Sequence, residues 1–258
     1  MENLEKKTLI NVTKSDINRH KQNDVNMNRT TRNLLAISIA ILPINIIMIW
    51  YRLTQTESFS TIDMTVYPLI FGGGISLLIL YLNKHLIKAT FKETFNSGNG
   101  KWYWDILVGI GLTTLYFIMF FIERATIYRW IPNHNPPNTE LIDTMVDLAH
   151  SPLLMLVWFG PVLWIGIALF EELSRVFLLK CLWNINDNKN WQITVIFLAS
   201  TLIGIAHLYQ GTAGIISIGL KSVLMSFYFY KYRRLLPLII SHALYDGFQF
   251  LLFIIQFR

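Results

Sequence analysis

Apolar residues dominate seven separate stretches of the sequence, each with few charged residues. A helix rises about 1.5 Å per residue, so about 20 apolar residues cross a hydrocarbon core of about 30 Å. The stretches are too numerous and too evenly spread for a signal peptide. The pattern predicts an all-α, polytopic transmembrane helical bundle with about seven crossings, at about residues 34–51, 64–82, 102–122, 153–183, 191–208, 212–230 and 235–257.

The fourth apolar stretch is too long for one straight crossing. Gly160 and Pro161 interrupt it, because proline cannot donate a backbone hydrogen bond to the preceding turn. We therefore expect residues 153–160 to form a short dipping segment and residues 161–183 to form the crossing helix. A re-entrant dipping segment would raise the number of membrane segments to eight.

Two polar regions lie outside the predicted crossings. Residues 1–33 are rich in Lys, Asn and Thr and are expected to form a polar tail, which leaves 34–258 as the transmembrane domain. The longest predicted loop, about 123–152, is expected to be a solvated connector rather than a lid. Within the second stretch, the run Gly72-Gly73-Gly74 is expected to let a neighbouring helix approach closely.

Composition agrees with a membrane protein, because 53% of the 258 residues are hydrophobic and 15% are charged. Cys181, the one cysteine of the sequence, cannot form an intrachain disulfide and is expected to be a buried apolar residue. The formal net charge is +6. Basic residues cluster at the ends of apolar stretches, where membrane topology explains them, so nucleic-acid binding is not expected.

The distribution of lysine and arginine distinguishes the two possible orientations in the membrane. One predicted side holds the tail and alternate loops and carries Lys6, Lys7, Lys14, Arg19, Lys21, Arg29, Arg32, Lys84, Lys88, Lys92, Lys101, Lys180, Lys189, Lys231, Arg233 and Arg234. The other side has Arg52, Arg124, Arg129 and Arg258. The N-terminus is therefore expected to be cytoplasmic, in a multi-pass protein of the cell membrane.

Ionisable residues lie inside three of the late apolar stretches. Glu171, Glu172 and Arg175 fall near the centre of the fourth stretch, where each charge costs at least about 2.5–3.5 kcal/mol unless it is paired or wetted. Glu172 and Arg175 are three residues apart and share a helical face, so they are expected to pair. Glu171 points about 100° away and is the carboxylate expected to face a cavity and act on water.

The other two stretches contribute histidines. His207 ends the fifth stretch, and His242 and Asp246 lie four residues apart on one face of the last. His207 is expected near the outer end of its helix, so it meets Glu171 only if that helix is tilted, is shortened or starts below the interface. Lys221 in the sixth stretch is expected either to pair with a site carboxylate or an anion, or to extend its ammonium group to the interface.

The order and spacing of these residues resemble the CAAX protease and bacteriocin-processing (CPBP, or Abi) family of intramembrane glutamic endopeptidases. That family has a double glutamate followed by arginine, then a motif ending in histidine, then a histidine with Asn or Asp four residues later. The resemblance covers about residues 150–250, the predicted protease core, and extends to the segment His207-Leu208-Tyr209-Gln210-Gly211. Two departures are the three-residue spacing from Glu172 to Arg175, where the family commonly has four, and Ile203 at a position that is commonly aromatic.

The resemblance implies an endopeptidase that hydrolyses a membrane-associated peptide or protein in the lipid bilayer, without a cofactor or metal ion. Glu171 would be the general base that polarises water with help from His207. Glu172 and Arg175 would orient the site, and His242 with Asp246 would hold the developing oxyanion. An ionised Asp246 repels an oxyanion, so orienting His242 is its alternative role.

Three other functions compete with this interpretation. Two histidines and several glutamates suit a zinc protease, although the sequence has no H-E-x-x-H spacing. A bacteriocin-immunity or scaffold protein would keep the fold for binding alone. A transporter would also carry charge inside the membrane, but the early stretches of this chain are nearly free of charge.

Overall fold

The computed structural model describes residues 27–54, 60–131 and 139–257, and these residues form helices joined by turns. Thirteen α-helices lie within these residues: α1 Arg29–Ala40, α2 Leu42–Thr54, α3 Thr61–Tyr67, α4 Gly73–Leu82, α5 Phe91–Phe95, α6 Trp102–Ala125, α7 Ile127–Trp130, α8 Thr139–His150, α9 Pro152–Val157, α10 Phe170–Trp183, α11 Lys189–Ala206, α12 Gly211–Tyr232 and α13 Leu236–Phe257. Three π-helical segments, Pro68–Gly72, Asn83–Ile87 and Trp158–Leu169, connect or extend them.

Seven helical segments in the described residues are long and apolar enough to cross a membrane: Arg29–Ile47, Thr61–Ile87, Trp102–Trp130, Pro152–Trp183, Lys189–Ala206, Gly211–Tyr232 and Leu236–Gln256. We call them the first to the seventh span. The predicted all-α polytopic bundle of about seven crossings is confirmed. The protein is a multi-pass membrane protein.

The first span begins at Arg29, before the predicted start near residue 34. The side chain of Asn28 accepts a hydrogen bond from the Thr31 N–H and so caps the helix one turn ahead of its apolar part. Of the predicted tail, residues 1–26 lie outside the described residues. The α-helix is interrupted by a turn at Ile41, since Pro43 lacks the N–H that would continue the backbone ladder.

The predicted break in the fourth stretch is present at Gly160. Its backbone leaves helical geometry, with φ −88° and ψ −109°, immediately before Pro161. The polypeptide continues as a π-helix to Leu169 and then as α10. The short α9 on one side of the bend and α10 on the other correspond to the predicted dipping segment and crossing helix.

Helix α10 lies at the centre of the bundle. It contacts the first and second spans on one side and α11 and α12 on the other. Leu173, Val176, Phe177 and Leu179 on this helix have no solvent exposure. Charged side chains on α10 are therefore held by protein on several sides, which fixes their positions.

Glycines bring the second and fourth spans into backbone contact. A Cβ atom added to Gly72 would lie 2.1 Å from the carbonyl oxygen of Gly166, so neither helix tolerates a side chain there without moving. A Cβ atom on Gly74 would meet nothing within 4 Å. The predicted packing role of the glycine run therefore belongs to Gly72.

The predicted connector at 123–152 is largely helical. It contains the end of α6, all of α7 and α8, while Pro132, Pro136 and Pro137 lie outside the described residues. Leu148 of α8 is fully buried in a cluster with Val162 and Phe250. The prediction of a solvated connector is wrong for α8, because one apolar face of this helix packs on the bundle.

Candidate active site

Glu172 and Arg175 form the buried ion pair that their spacing predicts. Nη1 of Arg175 lies 2.8 Å from Oε1 and 2.7 Å from Oε2 of Glu172. The glutamate has no solvent exposure and the arginine is 4% exposed. The Tyr116 side chain of α6 interacts electrostatically with Arg175. The three-residue spacing therefore preserves the pairing on one face of α10.

His242 of α13 joins this pair to two further carboxylates. Its Nδ1 donates to Oε1 of Glu172 at 2.8 Å. Its Nε2 lies 3.3 Å from Oδ2 of Asp246 and 3.7 Å from Oε2 of Glu171. The helical spacing of His242 and Asp246 accounts for the second contact, because residues four apart share a face. The imidazole therefore lies among three carboxylates from two helices.

Glu171 differs from its neighbour in surroundings. Its side chain is 29% exposed and lines a cavity of about 990 Å³. Consecutive helical residues point about 100° apart, so when Glu172 faces the bundle interior Glu171 faces the cavity. Glu171 is thus accessible to water or a bound molecule, whereas Glu172 is enclosed by its two partners.

His207 lines the same cavity as Glu171. It follows the last residue of α11, which is only 18 residues long and rises about 27 Å. The sequence places His207 and Glu171 at different depths in the membrane. Because α11 is short, it ends beside the cavity, and the two side chains line the same space. Nδ1 of His207 donates to the Ile203 carbonyl oxygen at 2.8 Å, and in a neutral ring Nε2 then carries the lone pair.

The turn after His207 has a local cause in the sequence. Leu208–Gln210 form one 3₁₀ turn, and Gly211 follows with φ 76° and ψ 178°. Backbone in this region is essentially restricted to glycine. The His207–Gly211 segment therefore reverses the chain tightly between α11 and α12 and sets the position of the histidine.

The cavity has a polar part and an apolar part. Its polar part is lined by Glu171, Arg175, His207, His242 and Asp246. Its apolar part lies between the first and second spans and is lined by side chains that include Ile39, Ile44, Ile47, Phe71, Ile75 and Leu78. The arrangement can hold an apolar chain next to ionisable groups.

A second charged cluster on the cavity was missed in the sequence. Lys221 is paired, but its partner is Glu123 of α6, with Nζ of the lysine 2.7 Å from Oε2 of the glutamate. The Ser217 hydroxyl donates to the same oxygen at 2.6 Å. Lys221 therefore does not pair with a carboxylate of the predicted site. It forms a separate ion pair with Glu123. Glu123 was overlooked because it precedes Arg124 at the end of an apolar stretch, where charge is ordinary.

In the part of the chain that the structure describes, no group of three or more His, Cys, Asp or Glu side chains is arranged to hold a metal ion. The three carboxylates around His242 instead direct their oxygens at the imidazole nitrogens. The zinc alternative therefore gains no support from the geometry of these residues. Cys181 is free and buried, as expected.

Comparison with known families bears on the same segment. Residues 153–248 match a family model described as type II CAAX prenyl endopeptidase Rce1-like. The matched segment runs from α9 into α13 and contains all six residues of the predicted site. This segment of the chain is similar to the CAAX protease family. No curated protein and no solved structure matches it.

The family match over residues 153–248 confirms the resemblance seen in the order of the motifs. Proteins of this description are peptide hydrolases, and seven apolar spans place this one in a membrane. The chain is a CAAX-type intramembrane endopeptidase that acts on membrane-associated substrates.

Proposed function

We propose that the protein hydrolyses a peptide bond of a membrane-associated protein or peptide with Glu171 as the general base. The observation that carries the proposal is the contrast between two adjacent glutamates. Glu172 is enclosed by Arg175 and His242, whereas Glu171 is 29% exposed in the cavity. A general base must reach the proton that it removes, and Glu171 meets this condition.

In this mechanism Glu171 takes a proton from a water molecule, and the water oxygen attacks the carbonyl carbon of the scissile bond. His207 shares that proton through the lone pair of Nε2 and helps to deliver it to the leaving amine. The supporting observation is that both side chains line one cavity. The scheme uses water as its only co-reactant.

The tetrahedral intermediate carries an oxyanion that needs a hydrogen-bond donor. We assign this role to Nε2 of His242, whose other nitrogen is fixed by Glu172. Asp246 is assigned the orientation of His242, since an ionised carboxylate would repel the oxyanion and its oxygen lies 3.3 Å from Nε2. Arg175 keeps Glu172 in place and so supports the imidazole indirectly.

The test compares peptides released from membranes that contain the wild-type protein or Glu171→Gln, measured by quantitative mass spectrometry. We expect release to fall by about 10²–10⁴-fold, the usual contribution of a positioned acid or base, with unchanged thermal unfolding. Glu93→Gln is the matched control, because Glu93 lies in α5 outside the cavity and glutamine retains its capping role.

Two outcomes would contradict the assignment. Full activity of Glu171→Gln together with a folded but inactive Glu172→Gln would exchange the roles of the two glutamates. Full activity of both variants would remove this cluster from the mechanism altogether.

A further inference from the structure

A second cavity, of about 280 Å³, lies away from the protease site. It is enclosed by the start of α1, the residues after the second span, α5 and the end of α10. We call it the basic pocket. Its lining residues are Arg29, Arg32, Asn33, Ile87, Ala89, Glu93, Thr94, Lys180 and Asn184.

Positive charge dominates the basic pocket, with three cationic side chains and one carboxylate in its lining. That carboxylate, Glu93, accepts hydrogen bonds from the N–H and the hydroxyl of Thr90 at 2.7 Å each. These bonds hold the pKa of Glu93 below its usual range. Across residues 27–54, 60–131 and 139–257, no carboxylate lies within 4.0 Å of a nitrogen of Arg29, Arg32 or Lys180.

Polar neighbours fix part of this cluster in place. The Arg29 guanidinium donates to Oδ1 of Asn184 at 2.6 Å, and the amide of Asn184 in turn donates to Asn33 at 3.4 Å. Nε of Arg32 is buried and has no hydrogen-bond partner among the described residues. A buried donor without a partner destabilises the folded protein, so an acceptor bound here would stabilise it.

The depth of the basic pocket matches the headgroup layer of a bilayer. Arg32 lies in the first turn of the first span and Lys180 in the last turn of α10. At about 1.5 Å per residue, each lies within about 6 Å of its helix end. Solvated lysines of an ordinary positive-inside loop are dispersed, whereas these three cations converge on one enclosed space.

We propose that the basic pocket binds a phosphate-bearing anion, which in the membrane is the headgroup of an anionic phospholipid. Two guanidinium groups and an ammonium group supply the donors that phosphate oxygens accept, and arginine can do so with two parallel bonds. Basic pockets between transmembrane helices bind such headgroups by this chemistry. The same groups accept inorganic phosphate, so the test separates the two sources.

The experiment measures thermal unfolding of the full-length protein in mixed micelles. One titration adds phosphatidylglycerol against a phosphatidylcholine background, and another adds inorganic phosphate against chloride at equal ionic strength. We expect phosphatidylglycerol to stabilise the wild-type protein saturably. Arg32→Gln with Lys180→Gln should weaken its apparent affinity at least about tenfold, the effect of losing one charge-assisted hydrogen bond.

The matched control is Lys84→Gln with Lys92→Gln, which removes the same charge from two exposed lysines near the basic pocket but outside its lining. Its affinity for phosphatidylglycerol should stay within about twofold of wild type, since exposed charges contribute little. Where the double variant of the pocket does not fold, Lys180→Gln alone and Arg32→Lys replace it. Arg32→Lys retains the charge but loses the two parallel hydrogen bonds that a guanidinium group can form with phosphate.

The outcomes are distinct. Stabilisation by lipid alone supports a headgroup site, and stabilisation by lipid and phosphate supports a phosphate site that a headgroup also fills. An equal loss of affinity in the control variant, or no stabilisation by either ligand, overturns the proposal. Peptidase activity does not enter this measurement, so its result is independent of the roles proposed for Glu171 and His207.

Discussion

Adjacent glutamates on α10 show how one helical step separates two environments, one partly exposed and one buried. Glu172 and Arg175 are buried together, and removing one partner would leave the other charged in a low-dielectric interior. His242 depends on the same carboxylate, because its Nδ1 bonds to Glu172. The stability of the site and the orientation of its imidazole therefore rest on one side chain.

Glu172→Gln is expected to lower the free energy of unfolding by about 3–5 kcal/mol, since Arg175 then remains buried without its carboxylate. Glu172→Gln combined with Arg175→Met should recover part of that stability without recovering activity. Thermal unfolding and peptide release, measured on the same membranes, check both statements. A double variant no more stable than Glu172→Gln would show that the pair is not energetically coupled.

At this scale the sequence was informative about which residues line one cavity and about contacts within a helix, but not about contacts between helices. Charge inside apolar stretches singled out Glu171, His207 and His242, because such charge is costly in a membrane. The bond from His242 to Glu172 joins two helices that are distant in sequence, and no local pattern encodes it. The ion pair of Glu123 and Lys221 also joins two helices that are distant in sequence, and it was not predicted.

Membrane-spanning helices were predicted wherever an apolar stretch was long enough to cross the bilayer. All seven spans followed from that rule. The π-helical segments and the turn after α1 were not predicted, because a hydropathy pattern does not record which carbonyl each N–H bonds. Helix α8 was missed because its apolar face is narrow and adjoins a proline-rich stretch. By contrast, Gly160 and Pro161 allowed the break in the fourth span to be predicted from the sequence.

The crossing of the second and fourth spans gives a prediction for these two elements. Gly72→Ala places a methyl group 2.1 Å from the carbonyl oxygen of Gly166, so the helices must separate. Overpacking of this kind costs about 1–3 kcal/mol, and peptidase activity should fall as well because α10 continues from the displaced segment.

Gly74→Ala is the internal control for this prediction, since the added methyl group meets nothing within 4 Å and alanine favours a helix. Thermal unfolding of the two variants in one detergent gives the comparison. Equal stability of Gly72→Ala and Gly74→Ala would mean that the close approach does not limit packing.

At the scale of the whole molecule, several basic side chains lie together at one end. Residues around Gly98, Arg233 and Arg234 lie together at one end, where Arg234 forms an ion pair with Asp105 and also donates to the Gly98 carbonyl. The basic pocket lies at this same end, next to the last turn of α10. Among the described residues, Arg29, Lys180, Arg233 and Arg234 of the predicted basic side thus lie at one end of the bundle. The orientation of that end in the cell is a prediction from charge counts alone.

A reporter fused after Lys101 is expected to be cytoplasmic, and one inserted within residues 133–145 is expected to be external. The physical reason is that loops rich in lysine and arginine are retained on the cytoplasmic side. Paired alkaline phosphatase and fluorescent protein fusions measure both positions. The reverse labelling would invert the whole bundle and place the basic pocket at the external leaflet.

The turn from His207 to Gly211 has a consequence for the supply of reactants. Backbone groups that leave a helix need other partners, and hydrocarbon offers none, so such a turn lies where water or protein satisfies it. His207 and Gln210 of this turn line the cavity, while its other wall carries Ile47 and Phe71, which are exposed on the apolar surface. We therefore expect the two reactants of hydrolysis to arrive from different phases, with water entering along the end of α11 and the peptide entering from the lipid.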